Sequence, residues 1–386
     1  MIRTLVEALG LLCVVLACAG ALYALAAAVV VRRFAGEQAS DATTLPAVTL
    51  LKPLHGAEPG LYDNLASFCD QHYPAPVQVL FGVQDPADAA VEVVDRLVAE
   101  RPGRDLRLIV NPRIAGANPK IATLVGLQQH ARHPVVVISD SDITVERDYL
   151  ARTVAALDRP GVGCVTCLYR GDARDGAWSR LASMAIDYHF LPNVLIGLAL
   201  GVARPCFGST IALRRDTLAA IGGFEAFLDT LADDYAIGEA VRGLGMRIAI
   251  PPFVVVHGCS ERTLGELFRH ELRWARTLRA VTPWGYAGLV MTHALPFALL
   301  GAWLIGSTAL GVGVIGSAIA CRLVLQVQVD HTLRVSRSRW WLGPARDMLA
   351  FAVYVASFFV GAVDWRGQRY KVRADGTLAA GGERRT

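Results

Sequence analysis

The sequence predicts an α/β fold, a doubly wound parallel sheet set between N-terminal and C-terminal transmembrane helices. Three observations carry this. Between about residues 46 and 280, short runs of β-branched apolar residues alternate with helix-like stretches. Several of those runs end on a polar residue of chemical use, Lys52, Asp85 and Asp140, and the carboxyl ends of neighbouring parallel strands share one crevice. Apolar segments flank this region on both sides. The chain of 386 residues is 53% hydrophobic and 19% charged, with a mean hydropathy of +0.39. That is too apolar for an ordinary soluble chain and too charged for membrane helices alone.

Residues 5–31 carry one charge, Glu7, and are long enough to span a bilayer. Arg32 and Arg33 follow at once. A cleaved signal peptide has a shorter apolar region, so residues 1–33 read as an uncleaved anchor. The positive-inside rule then places the N-terminus outside and residue 34 onward in the cytoplasm. A polar linker, 36–45, leads into the domain 46–280. Strands are expected at 48–51, 77–83, 106–110 and 135–139, and helices at 61–70, 87–100 and 120–131.

The second half is less regular. Strands are expected at 162–168 and 207–213, and helices at 178–190, 231–244 and 263–279. Residues 191–203 are apolar but too short and Gly-rich to span, which leaves a core helix or a segment lying in the membrane interface. From 286 the chain is apolar again. Residues 286–306 and 307–329 are candidate spans, and 334–346 is a basic loop with Trp340 and Trp341 as interface anchors. Residues 348–363 are only marginally long enough to cross. A third crossing would put Arg366, Arg369, Lys371 and Arg373 outside, against the positive-inside rule, so this segment reads as re-entrant or interfacial. The membrane part thus covers 286–364, and 365–386 is a basic, polar tail on the cytoplasmic side.

The net charge of +4, with no stretch interleaving basic and aromatic residues, gives nucleic-acid binding little support. The eight cysteines follow no framework spacing. Cys164 and Cys167 form the one close pair, with no second pair to complete a zinc site, and read as buried thiols in a reducing compartment. Few polar residues lie in the apolar segments, which argues against a transport path.

The chemistry concentrates in a few places. Asp140 and Asp142 leave the 135–139 strand with one residue between them. Two hard carboxylates there suit Mg²⁺ or Mn²⁺ carrying a phosphate-bearing substrate, although the same pair also occurs in solvated turns. Asp233 and Asp234 open a helix, where the dipole accounts for one acid more readily than for two. At helical spacing Arg269, Arg273 and Arg276 fall on one face beside Trp274. That face suits a pyrophosphate, an anionic membrane surface, or plain solvation.

Taken in order, these features resemble the membrane-bound inverting glycosyltransferases of the family-2-like, Rossmann-like glycosyltransferase A fold, in the ceramide glucosyltransferase branch. The positions carrying the likeness are Asp85, Asp140, Asp234 and His270-Glu271-Leu272-Arg273-Trp274, with His270 where that branch has Arg or Gln. Leu50-Leu51-Lys52-Pro53-Leu54-His55-Gly56, Asn118-Pro119-Lys120 and Trp365-Arg366-Gly367-Gln368-Arg369-Tyr370 also match. Within the branch, Phe81-Gly82-Val83-Gln84-Asp85-Pro86, Ser139-Asp140-Ser141-Asp142-Ile143, Leu231-Ala232-Asp233-Asp234-Tyr235 and His270 to Thr277 look most like the bacterial hopanoid-biosynthesis glycosyltransferases.

The resemblance implies a UDP-sugar donor, contacted by Lys52, Pro53, Asp85, Lys120 and Asp140, with Asp85 toward the uracil-ribose end. It implies a divalent ion, Mg²⁺ or Mn²⁺, on Asp140 and Asp142. Asp234 becomes the candidate base, with Asp233 as the neighbour that can be mistaken for it. Arg273 assists the leaving group, and Trp274 either stacks on the acceptor or fills core. His257 reads as a core histidine in preference to a diphosphate or metal contact. The implied reaction places N-acetylglucosamine on a hopanoid polyol of the bacteriohopanetetrol type, at the cytoplasmic face of a bacterial inner membrane. The expected acceptor entry lies along 178–203. The rival readings are glucosyl transfer to ceramide or another sphingolipid-like acceptor, a processive polysaccharide synthase, and a membrane-anchored sugar-nucleotide binder without turnover.

Overall fold

Strands and helices form where the apolar patterns place them, but the way they join differs from a simple parallel winding. The computed structural model describes residues 1–36, 45–111, 116–306, 308–335 and 340–359, and the backbone of 363–365, 368–372 and 378–380. Most of the expected linker 36–45, part of the basic loop 334–346 and most of the tail 365–386 lie outside the described residues.

Helix α1 (Ile2–Ala35) comes first, then β1 (Val48–Pro53), α2 (Leu61–Cys69), β2 (Val77–Val83), α3 (Ala90–Glu100), β3 (Asp105–Val110), α4 (Pro119–Gln128) and β4 (Val135–Ile138). The strand residues bury both faces, as their unbroken apolar runs require. Leu50, Val79 and Val137 point into one core with α2 and α3, while Leu51, Leu80 and Val136 point into the other with α4. This is the period-two alternation of a sheet covered on both sides. Each fully buried Leu or Val contributes about 1.5–3 kcal/mol.

The chain continues through β5 (Ile143–Thr144), α5 (Tyr149–Leu157), β6 (Val162–Val165), β7 (Leu168–Ala173) and α6 (Gly176–Ala185). A π-helical turn (Ile186–Phe190) joins α6 to α7 (Leu191–Ala199). Then follow β8 (Ile211–Arg214), α8 (Arg215–Ala220), α9 (Asp233–Gly243), β9 (Arg247–Ala249), β10 (Val254–Cys259) and α10 (Leu264–Val281). The main sheet has the order β3-β2-β1-β4-β8-β6-β9. It is mixed: β1 pairs parallel to β2 and β4, but β8 lies antiparallel to both β4 and β6, with Val137 opposite Ala212. The expectation of an all-parallel sheet is corrected here. The long excursion through α6 and α7 returns the chain to the far end of β4, and no local periodicity encodes that direction.

The expected strand 162–168 is likewise two strands in two sheets. The chain leaves the main sheet after β6, and β7 joins a small sheet of order β5-β10-β7. That small sheet carries His257 beside the crevice, and β10 was not foreseen.

Helices α1, Gly176–Ala199 and α13 (Thr308–Leu333) are long and apolar enough to cross a membrane. Helix α1 packs along α12 (Ala294–Ile305) and α13 through small residues. A Cβ on Gly20 would meet the Met291 carbonyl at 2.8 Å, and one on Gly301 the Gly10 carbonyl at 3.2 Å. Such close backbone approach is how helices associate without a hydrophobic drive. The expected span 286–306 is broken. Helix α11 (Pro283–Gly288) and a 3-10 turn (Leu289–Thr292) meet α12 at a 61° bend next to His293. Of residues 191–203, Leu191 and Leu195 are core, as the first reading has it, while Leu200 and Val202 are 70% and 75% exposed.

The last apolar segment forms α14 (Gly343–Phe359), 17 residues. Arg346 pairs through two 2.6 Å bonds with Glu271 of α10, and Asp347 accepts from Arg322 at 3.0 Å. The first pair ties α14 to the helix that carries Arg273 and Trp274, and the second ties it to α13. The backbone then forms a three-stranded sheet of β11 (Val363–Trp365), β12 (Gln368–Val372) and β13 (Leu378–Ala380).

Candidate active site

Because β1, β2 and β4 run parallel, their carboxyl ends open on one edge of the sheet. Asp140 and Asp142 follow β4 there, on a loop whose backbone groups are held from four directions. The Asp140 amide donates to the Gly208 carbonyl (3.1 Å). The Asp140 carbonyl accepts from Lys52 Nζ (2.6 Å), and the Ser141 carbonyl from Asn64 Nδ2 (2.8 Å). The Asp142 carbonyl accepts from the Gly258 amide (2.9 Å). A loop so fixed presents its carboxylates without conformational search.

Lys120, in the first turn of α4, lies between the acids. Its Nζ is 2.7 Å from Asp140 Oδ1 and 3.3 Å from Asp233 Oδ2. Burial opposes its charge, but the carboxylates of Asp140, Asp233 and Asp234 outweigh burial and raise its pKa. Asn118 sets the position. Its side chain caps α4 by accepting from the Lys120 and Ile121 amides, and its Nδ2 donates to Asp233 Oδ1 (3.2 Å) and the Thr230 carbonyl (2.8 Å). The starts of α4 and α9 are thereby joined through one side chain.

Asp233 and Asp234 separate in role. Asp233 is buried and engaged by Lys120 and Asn118. Asp234 accepts from the Gly208 amide (3.1 Å) and from the Tyr235 amide (2.7 Å). Burial and the neighbouring Asp233 push its carboxyl up to about 6. Gly208 is thus bonded to Asp140 through its carbonyl and to Asp234 through its amide. A Cβ on it would lie 2.5 Å from Asp140 Oδ2 and 2.8 Å from Lys120 Nζ. We expect Gly208→Ala to cut any turnover at least about tenfold by displacing Asp140, with less effect on thermal stability. Unaltered kinetics in that variant would mean that Asp140 tolerates displacement.

Asp142 faces the small sheet, with its Oδ2 3.1 Å from His257 Nε2. Burial would raise the Asp142 carboxyl, but the charge and hydrogen bond of His257, helped by Lys52, hold it well below the usual carboxylate range. Burial likewise opposes protonation of His257, and Asp142 overrides it, raising its pKa well above the ordinary value. Trp274 meets His257 and His270 edge-on, at ring separations of 5.9 and 4.6 Å, and His270 Nδ1 lies 2.6 Å from Glu261 Oε1. Asp142, His257, His270, Arg269 and Arg273 line a cavity of about 370 Å³.

Two expectations change and a third is refined. Lys52 is fully buried, its Nζ bonded to the Asp140 carbonyl and 3.7 Å from the Phe68 ring centroid, so it supports the loop from beneath instead of facing the crevice. Its burial lowers its pKa to about 7, against the pull of Asp140 and Asp142. Arg269, Arg273 and Arg276 of α10 do not share one surface: Arg269 and Arg273 line the cavity, whereas Arg276 is buried. His257 is buried and partnered, as a core histidine would be, but its partner is the crevice acid Asp142, and it also lines the cavity. Asp85 lies exposed after β2, its Oδ1 accepting from the Ala87 amide at 2.8 Å, and Pro53 ends β1 on the same edge. Trp274 is half-buried against the core. Sequence reasoning did not single out Gly208, Asn118 as the strut between helices, or Asn64. Of these only Asn118 had a local signal, the Asn-Pro start of a helix.

Among the described residues no three His, Cys, Asp or Glu side chains converge into a ready metal cage. The donor set nonetheless fits a divalent ion that keeps most of its sites for phosphate and water. Asp142 Oδ1 is buried with no hydrogen-bond partner, and the Asp140 side chain is 36% exposed.

The family model described as "Glycosyl transferase family 21" matches residues 12–378. Ceramide glucosyltransferase 1 of Caenorhabditis elegans is 24% identical over 87% of this chain and 73% of its own length. The ceramide glucosyltransferase of Pyricularia oryzae is 23% identical over 86% of this chain and 85% of its own. Among solved structures, a mannosyltransferase from Pyrobaculum calidifontis in complex with GDP-Man and Mn²⁺ superposes with a TM-score of 0.52. It is 22% identical, over 92% of this chain and 99% of that one, a likeness of fold.

Proposed function

The chain belongs to glycosyl transferase family 21, and from that membership we propose that it moves a sugar from a UDP-sugar to a hydroxyl of a membrane lipid, by a single displacement with inversion. The observation that carries this reading is the double engagement of Gly208, which brings Asp140, a donor-side acid, and Asp234, a carboxylate poised near 6, to one residue.

The proposed roles follow from charge. The departing nucleoside diphosphate gathers negative charge, which the fixed cations Lys120 and Arg273 offset in a site shaped before the reaction begins. Asp140 and Asp142 hold the divalent ion, Mg²⁺ or Mn²⁺, which when bound supplies positive charge to the diphosphate. Asp85 and Pro53, on the same strand edge, contact the nucleoside end, while Lys52 keeps the Asp140 loop in place. Asp234 accepts the proton of the acceptor hydroxyl. An inverting displacement needs that one base and no covalent nucleophile. Trp274 stands edge-on behind His257 and His270, which line the cavity into which the acceptor reaches.

The lipid acceptor is supported by the apolar helices around the domain and by the names of the curated relatives. With Arg32 and Arg33 ending α1, the domain faces the cytoplasm across a bacterial inner membrane. The motif likeness favours N-acetylglucosamine and a hopanoid polyol. The relatives' names favour a second reading, glucose and ceramide.

Product mass spectrometry decides between them. Membranes containing the protein receive UDP-N-acetylglucosamine or UDP-glucose, each with a hopanoid polyol or a ceramide. An N-acetylhexosamine mass on the hopanoid is the expected product. A hexose on ceramide keeps the reaction class and changes the substrates. No product from any pair, with UDP-sugar binding retained, would favour a binder without turnover.

A further inference from the structure

A second cavity, of about 420 Å³, lies away from the catalytic acids, at the β9 edge of the main sheet. Its lining holds four arginines, Arg159, Arg204, Arg242 and Arg247, and no acidic side chain. Arg204 and Arg242 share the carboxylate of Glu239 at 3.2 and 2.8 Å. Arg242 also donates to the Pro205 carbonyl (2.8 Å), and Arg247 to the Pro160 carbonyl. One carboxylate leaves the group strongly cationic, and the backbone bonds fix two of its guanidinium planes. Planar, fixed guanidinium groups in a concavity suit a phosphate.

The apolar side of this cavity sets its level relative to the bilayer. Leu198 and Ile250 line it, and both pack against a cluster that includes Val31, Phe34, Leu333 and Val335. Those four residues lie at or just past the ends of the candidate spans α1 and α13, with the basic Arg32 and Arg33 in the last turn of α1. Leu342 joins the same cluster beside the exposed Trp340 and Trp341, residues suited to the headgroup layer. Just past the end of α7, Leu200 and Val202 project outward beside Arg204. Cations in a cavity, an apolar rim and a position where two spans emerge form one continuous surface.

We propose that this cavity binds the phosphate headgroup of an anionic phospholipid in the leaflet facing the catalytic domain, with the acyl chains along Leu198, Leu200 and Val202. The occupant is a lipid and not a soluble anion, because the rim is apolar and exposed where a soluble phosphate would gain nothing from it. Such a site orients the domain on the membrane independently of the sugar-transfer residues, none of which line it.

The test uses the full-length chain in a neutral detergent. Dioctanoyl phosphatidylglycerol, dioctanoyl phosphatidylcholine and inorganic phosphate are each titrated, with bound lipid and the thermal unfolding midpoint as readouts. Phosphatidylglycerol is expected to bind and raise the midpoint, and the other two are not. The double variant Arg204→Gln/Arg247→Gln should weaken phosphatidylglycerol binding about tenfold or more, and Arg204→Lys/Arg247→Lys should retain most of it. Equal responses to the two lipids, or unaltered binding in the Gln variant, would overturn the proposal. A response to phosphate as large as that to phosphatidylglycerol would overturn the lipid assignment in favour of a soluble anion. If the Gln variant does not fold, the wild-type lipid comparison and the Lys variant still decide.

Discussion

Asp234→Asn is expected to lower turnover by about 10²–10⁴-fold while leaving UDP-sugar affinity within a few-fold of wild type. Asparagine keeps the size of the side chain, and its oxygen can still accept from the Gly208 or Tyr235 amide. What it loses is basicity. The wild-type carboxyl is pushed up to about 6 by burial and by Asp233, so its base form is lost as pH falls through that value. In wild type, kcat/KM should therefore be flat above about pH 6 and fall below it with unit slope. In the variant the residual rate should lack that limb. Measuring kcat/KM between pH 5 and 8, with donor binding measured separately, checks both parts. Turnover within a few-fold of wild type would remove Asp234 as the base. Asp233→Asn is the control: Asp233 faces Lys120 and Asn118, so its loss should weaken donor binding and keep the pH limb, moved to lower pH because the Asp233 charge no longer raises the Asp234 carboxyl.

Asp140→Ala is expected to weaken metal-dependent donor binding by about 100-fold or more. The carboxylate is also the 2.7 Å partner of Lys120, leaving that ammonium only Asp233 at 3.3 Å. On the proposed roles, removing it takes away an oxygen ligand and loosens a cation that faces the diphosphate. Calorimetry of UDP binding with Mn²⁺ and with a chelator gives the readout. Wild type should lose affinity on chelation, and the variant should bind weakly under both conditions. Equal wild-type affinity with and without chelator would exclude the metal site on Asp140 and Asp142.

Much of this was legible in the chain. Apolar runs buried on both faces name the strands β1, β2 and β4, because a residue's tendency to leave water depends on its own side chain and its neighbours at period two. Polar residues at strand ends name the crevice edge, since parallel strands align their carboxyl ends. The long apolar runs name α1 and α13. Asp140 and Asp142 could be singled out because two acids at the end of an apolar run have few structural uses, whereas Lys120 and the choice of Asp234 over Asp233 rested on the motif likeness.

Tertiary structure decided the rest, wherever the answer depends on residues far apart in sequence. Strand β8 is antiparallel because α6 and α7 carry the chain round to the other end of β4. Lys52 supports the loop and does not face the crevice, because Phe68 and the Asp140 carbonyl close over it. Asp233 and Asp234 are chemically alike in sequence. They part company only when Asn118 and Lys120, more than a hundred residues earlier, take one of them and Gly208 takes the other. The pKa of His257 is raised because β10 lies next to the Asp142 loop. Local preference fixes which segments form and which face is buried, through short-range sterics and the expulsion of apolar surface from water. The protonation and aim of a side chain depend on the field and the hydrogen bonds of whatever packs against it, and that is set only when distant segments meet.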